Sequence, residues 1–137
     1  MKIWKIVTVL LAVLLLAGCV GSVSGATVST IAITGIDTPA AGVKPDTTAS
    51  ISTTGVILGT ISWSPSSTTF NAATNYTVTI LVMNYTGYEF SSSPAATVNG
   101  KFATAVKSGN TVTVSYTFDK TAAGRQGTGR RTEADAE

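Results

Sequence analysis

The chain has 137 residues, with one cysteine and no histidine. The cysteine, Cys19, closes the stretch Leu16-Ala17-Gly18-Cys19 directly behind an apolar run. A reactive thiol or hydroxyl needs a neighbouring base, and without His no Ser–His or Cys–His pair can form. Metal centres built on imidazole are excluded on the same ground. A disulfide within the chain would need a second cysteine. Between the leader and the C-terminal tail the acids are Asp37, Asp46, Glu89 and Asp119. A glycosidase needs two carboxyls at a fixed separation, but each of these sits by a loop or strand end, where a solvated carboxylate is the ordinary reading. Asp37 and Asp46 flank a proline loop and can offer oxygens to Ca²⁺ together with backbone carbonyls. Calcium takes about six to eight oxygens, and no clustered Asp motif supplies them. No Gly-rich phosphate loop ending in Lys-Ser/Thr appears. The expectation is a protein that is not an enzyme, with no catalytic residues, no metal site and no cofactor.

The elements around Cys19 give it an address. Lys2 and Lys5 precede a run from Ile6 to Ala17 that is apolar except for Thr8. At about 12 residues the run is shorter than the roughly 20 that a membrane-spanning helix needs. It has the form of the apolar region of a secretory signal peptide. On these features alone, a plain secretory leader with an incidental cysteine stays open.

Leu16-Ala17-Gly18-Cys19 resembles the lipobox of bacterial lipoproteins. The resemblance implies that residues 1–18 are a signal peptide cut before Cys19, and that the Cys19 thiol carries a diacylglyceryl group. A single acyl chain holds a protein weakly and each buried CH₂ adds about 0.8 kcal/mol, so two or three chains hold it firmly. Val20 follows the cysteine. In Gram-negative lipoproteins an Asp there often signals inner-membrane retention, so the resemblance implies an outer-membrane or cell-surface location in such a cell.

Apolar residues make up 44% of the chain and charged residues 12%, so charge does not oppose collapse into a core. Once Lys2 and Lys5 are set aside, seven cations balance seven acids. No cluster of Lys or Arg marks a nucleic-acid footprint. Residues 19–26 are small and polar after the cysteine and read as a flexible tether. From Thr27 to Thr121 the apolar period is two, which predicts strands. Asn75–Met83 sends Tyr76, Val78, Ile80 and Val82 to one face, and Asn110–Phe118 sends Val112, Val114, Tyr116 and Phe118 inward. Thr27–Thr34 is expected to turn Ser29, Ile31 and Ile33 to one face, and Val56–Ser64 to turn Ile57, Ile61 and Trp63. Phe70 is expected to fold back onto the core from its loop. Asn99-Gly100 is a hairpin-turn signal, and Ser108-Gly109-Asn110 is a second turn. About seven strands in residues 27–121, with no amphipathic helix, predict an antiparallel sandwich or a small barrel. The first choice is an immunoglobulin-like β-sandwich cored by Trp63, Tyr76, Tyr116 and Phe118.

The stretch Gly59–Val82 is similar to the immunoglobulin-like (fibronectin III-like) repeats of bacterial surface and S-layer-associated proteins. The match runs through Pro39, Gly42, Pro45, Trp63-Ser64-Pro65, Phe70, Tyr76-Thr77, Gly87-Tyr88, Phe90, Val98-Asn99-Gly100, Tyr116 and Phe118. These are core and turn positions, so the resemblance implies a fold and says little about a ligand. Such modules serve as spacers, adhesion units or carbohydrate-binding accessories, and here there is one copy.

Tyr85 and Tyr88, in Asn84–Phe90, are the candidate ligand contacts, since exposed tyrosines can stack on sugars or anchor a protein. The plainer reading makes Tyr88 and Phe90 core residues. The outward Thr and Ser rows offer either a solvated sheet face or an edge for strand addition. Residues 122–137 lose the alternation and carry too little apolar mass to order. The expected partners are the membrane, through the N-terminal lipid, and a cell-wall or extracellular polysaccharide or a surface protein. The expected role is structural or adhesive. Carbohydrate binding and self-assembly into a surface layer are the alternatives.

Overall fold

The computed structural model describes residues 25–124. The expected leader with Leu16-Ala17-Gly18-Cys19, the expected tether up to residue 24 and the C-terminal segment from residue 125 lie outside the described residues. The described residues form seven strands: β1 (Ala26–Thr34), β2 (Ser50–Ile51), β3 (Val56–Ser64), β4 (Thr77–Asn84), β5 (Tyr88–Val98), β6 (Lys101–Ser108) and β7 (Thr111–Thr117). They make one mixed sheet in the order β2-β1-β5-β6-β7-β4-β3. β1 runs parallel to β5, and every other pair is antiparallel.

β6 is the corner of the fold. Its first residues pair with β5, at Val98↔Lys101 and Ala96↔Ala103. Its later residues pair with β7, from Thr104↔Ser115 to Ser108↔Thr111. The sheet therefore bends at Ala103–Thr104 and curls over its own core, and the terminal strands β2 and β3 come to lie near each other. The result is an all-β, nearly barrel-shaped domain.

β4 and β7 follow the period-two pattern closely. Tyr76, Val78, Ile80, Val82, Val112 and Val114 are fully buried. Residues that alternate in a strand share a face, and burying each Val or Ile contributes about 1.5–3 kcal/mol. The Val and Ile side chains among them meet Ile31 and Ile33 of β1 and Phe90, Ala96 and Val98 of β5 in a single cluster. Phe70 is buried and packs edge-on to both Trp63 and Tyr76, with ring centroids 4.9 and 4.6 Å away. Phe118 lies 5.7 Å from Trp63 and 4.8 Å from Tyr116. Trp63 and Tyr116 are only half-buried, so they rim the core that Tyr76 and Phe118 fill.

Two expected faces are corrected. In β1 the core-facing residue is Val28, and Ser29 is exposed. The register with β5 shifts between Val28 and Thr30, where Ser29 stands opposite Ser91–Pro94. In β3 Ile57 is exposed, while Val56 is buried and Leu58 packs on the core. Here Gly59 and Thr60 together face Leu81. An extra residue reverses the alternation on one side of a bulge, so Ile61 and Trp63 keep their expected side and Ile57 does not.

Candidate functional site

The segment holding the two candidate tyrosines is the turn between β4 and β5. The Tyr88 N–H donates to the Tyr85 carbonyl at 3.0 Å, and the Tyr85 N–H donates to the Gly55 carbonyl at 2.9 Å. The Asn84 side-chain amide donates to the Tyr88 carbonyl. The turn thus brings both tyrosines together and then separates their roles. Tyr85 is 52% exposed. Tyr88 is half-buried and lies against Gly55, where a Cβ would sit 2.1 Å from the Tyr88 Cδ1. Gly55 has φ +88°, a conformation that only glycine adopts without strain.

Tyr88 also forms one wall of an open groove of about 230 Å³. The other walls are Ala26–Thr30 of β1 and Thr53-Thr54. Tyr85 does not line it. The groove exists because the β1–β2 ladder has only two registered pairs, Ile33↔Ile51 and Thr34↔Ser50. Above them the Thr53 Oγ1 accepts the Ala32 N–H at 2.9 Å, a side chain filling the place of a strand. Sequence reasoning passed over Thr53 and Thr54. Their signal is the weak alternation of Thr47–Thr54, too poor in apolar residues to hold a long strand. The lining carries no acid, no cation and no nucleophile with a base, so the groove has hydrogen-bonding chemistry only.

The acids lie elsewhere. The Asp46 Oδ2 accepts the Asp37 N–H at 2.5 Å, and the Asp46 carbonyl accepts the Trp63 Nε1–H at 2.8 Å. Asp46 is thus a clasp between the proline loop and the core rim. Among the described residues no three His, Cys, Asp or Glu side chains are placed to share a metal ion.

The third surface is the outer face of β3, β4, β7 and β6. The register aligns Ser64, Thr77 and Thr117 in one row and Ser62, Thr79, Ser115 and Thr104 in the next. The Thr77 and Thr117 hydroxyls are 2.8 Å apart. β3, β4 and β7 contain no charged residue. Lys101 and Lys107 of β6 share their side with Ala103 and Ala105, which pack on the core. Thr104 and Val106 point outward with Phe102, which is 89% exposed.

Comparison of the chain with protein-family models, curated proteins and solved structures finds no match.

Proposed function

We propose that the chain is an exported bacterial lipoprotein that displays one immunoglobulin-like β-sandwich at the cell surface in a structural or adhesive, non-catalytic role. The observation that carries this reading is the order of parts along the sequence. An apolar leader ends in Leu16-Ala17-Gly18-Cys19, and an all-β domain begins at Ala26, a short polar tether later. A lipid on Cys19 would hold the domain close to the membrane, with the tether setting its freedom. Labelling cells with an alkyne fatty acid tests the proposal. The wild-type chain takes up label and partitions with membranes, and Cys19→Ala does neither. Equal labelling of the two chains would contradict it.

Two features support the immunoglobulin-like reading of the domain. The halves of the sheet on either side of β6 face each other across one core. Tyr76, at the head of β4, is buried, and its hydroxyl accepts the Asn71 N–H at 2.8 Å. That bond five residues upstream has the form of the tyrosine corner of such sandwiches.

Self-assembly through strand edges draws no support from the edges themselves. Free edges are blunted by bulges, prolines and inward-reaching lysines. β1 has its irregularity at Ser29, and β3 has the Gly59–Thr60 bulge. The part of β5 that does not pair with β6 carries Pro94, and the Lys107 Nζ donates to the Phe90 carbonyl there at 2.7 Å. Carbohydrate binding is favoured by a different observation, the uncharged outer face.

A further inference from the structure

The geometry points to the outer face of β6 and β7, with Phe102 as its stacking platform, as a binding surface for a neutral polysaccharide. This rests on the surface-display reading only in that the domain must meet extracellular glycans.

An aromatic ring 89% exposed on a regular strand gains nothing from folding. It is also held stiffly. Phe102 stands opposite Thr97, two residues beyond the Asn99-Gly100 turn. The tip of that hairpin is tied to the end of the neighbouring strand β1 and the chain leaving it. The Asn99 N–H donates to the Ile33 carbonyl at 2.8 Å, and the Asn99 side-chain amide bonds both the N–H and the carbonyl of Ile36. A ring on such a hairpin loses little conformational freedom on binding, which favours affinity. Its neighbours on the exposed side are hydroxyls, Thr97 across the strand pair and Thr104 two residues along. Beyond Thr104 one hydroxyl row continues through Ser115 and Thr79 to Ser62, and the following rows mix Thr113 and Thr111 with the uncharged Val106, Leu81, Met83 and Ile57.

That chemistry selects the occupant. A pyranose presents a face of C–H groups bordered by hydroxyls. The C–H face meets the electron-rich face of an aromatic ring, and the sugar hydroxyls find donors and acceptors in Thr and Ser. The outward positions of all four strands lack charge, so nothing there would pair with an anionic polymer, a nucleic acid or a charged peptide. The face is also too small for a second copy. Four strands about 4.8 Å apart and some 20 Å long give roughly 300–400 Å². A stable protein pair buries about 800 Å² on each partner. A glycan strand lies along a surface of this size without needing more.

The test is retention of the full-length chain, purified in mild detergent, on insoluble cellulose and chitin, with alginate beads as an anionic control. The expected result is retention on at least one neutral polymer, no retention on alginate, and no loss between low and molar salt. Phe102→Ala should lower retention about tenfold or more, as loss of about 1.4 kcal/mol implies. Phe102→Trp should keep it, and Tyr85→Ala should leave it unchanged. Thermal melting should be the same for Phe102→Ala and wild type, because the ring is outside the core. No retention on either neutral polymer, unchanged retention of Phe102→Ala, or a dimer in size-exclusion chromatography that Phe102→Ala dissolves would each overturn the assignment. The state of Cys19, read by mass on the same preparation, is independent of all three outcomes.

Discussion

The Asn99 side chain acts as a short piece of strand against Ile36. Its Oδ1 accepts the Ile36 N–H at 3.4 Å, and its Nδ2 donates to the Ile36 carbonyl. The two residues are 63 positions apart, so this contact joins the β5–β6 hairpin to the chain leaving β1. Asn99 also has φ 50°, followed by Gly100 at φ 79°, the pair of positive angles of a type I′ turn. Asn99→Gly keeps the turn conformation and removes only the amide. It should cost about 1–2 kcal/mol, seen as a lower urea midpoint with an unchanged slope. A midpoint equal to wild type would mean that the hairpin tip is held by the turn alone.

Gly55 and Tyr88 form a second pair whose fit is testable. A methyl at position 55 would occupy the space of the Tyr88 ring, and φ there is +88°. Gly55→Ala should destabilise by about 1–3 kcal/mol through steric and backbone strain. In the Tyr88→Ala background the steric part disappears. A double-mutant cycle should therefore show coupling of about 1 kcal/mol. Additive effects would place the whole cost in the backbone.

Tyr76→Phe removes one oxygen from a fully buried ring. That oxygen accepts the Asn71 N–H at 2.8 Å and lies 3.2 Å from the Ser67 Oγ. The Asn71 N–H is left without that partner, so the expected loss is about 1–2 kcal/mol. A loss below about 0.3 kcal/mol, small against the usual worth of such a bond, would show that water replaces the phenol.

Thr121 closes the domain after β7. It is buried, its Oγ1 donates to the Asn71 carbonyl at 2.6 Å, and it accepts the Thr74 N–H at 3.0 Å. The Ala122 carbonyl still accepts the Ala73 N–H at 3.2 Å. Thr121→Val keeps the shape and removes the hydroxyl, with an expected loss of about 1–3 kcal/mol. Truncation after Ala122 should be neutral, and truncation before Thr121 should cost at least as much as the valine. Equal melting temperatures for the two truncations would remove Thr121 from the fold's essential contacts.

What was legible in the sequence depended on how regular each strand is. β4 and β7 run in unbroken register over Thr77–Met83 and Thr111–Thr117, so their alternation names their buried residues directly. The Asn99-Gly100 and Gly109-Asn110 turns carry their own local chemistry and appear where expected. The errors at Ser29 and Ile57 both sit at irregularities. Such a shift is set by the partner strand, and a single strand's pattern does not contain it. Ser91-Ser92-Ser93-Pro94 carries no alternating apolar pattern yet lies within β5, between the buried residues Phe90 and Ala96. Of the candidate contacts, Tyr85 is exposed and Tyr88 is divided between the core and the groove. Nothing in the local sequence singles out Phe102, which stands two residues past the Asn99-Gly100 turn. Its exposure follows from the bend of β6 between two pairing partners, which is visible only once the sheet is assembled.

In the proposed function the domain hangs from the membrane by Cys19. The most direct measurement is the intact mass of the chain recovered from a bacterial membrane fraction. The expected result is a chain that begins at Cys19 and carries two or three acyl groups, with Cys19→Ala absent from that fraction. A mass without acylation, with the leader retained or cut at another residue, would contradict it and leave Cys19 an ordinary thiol.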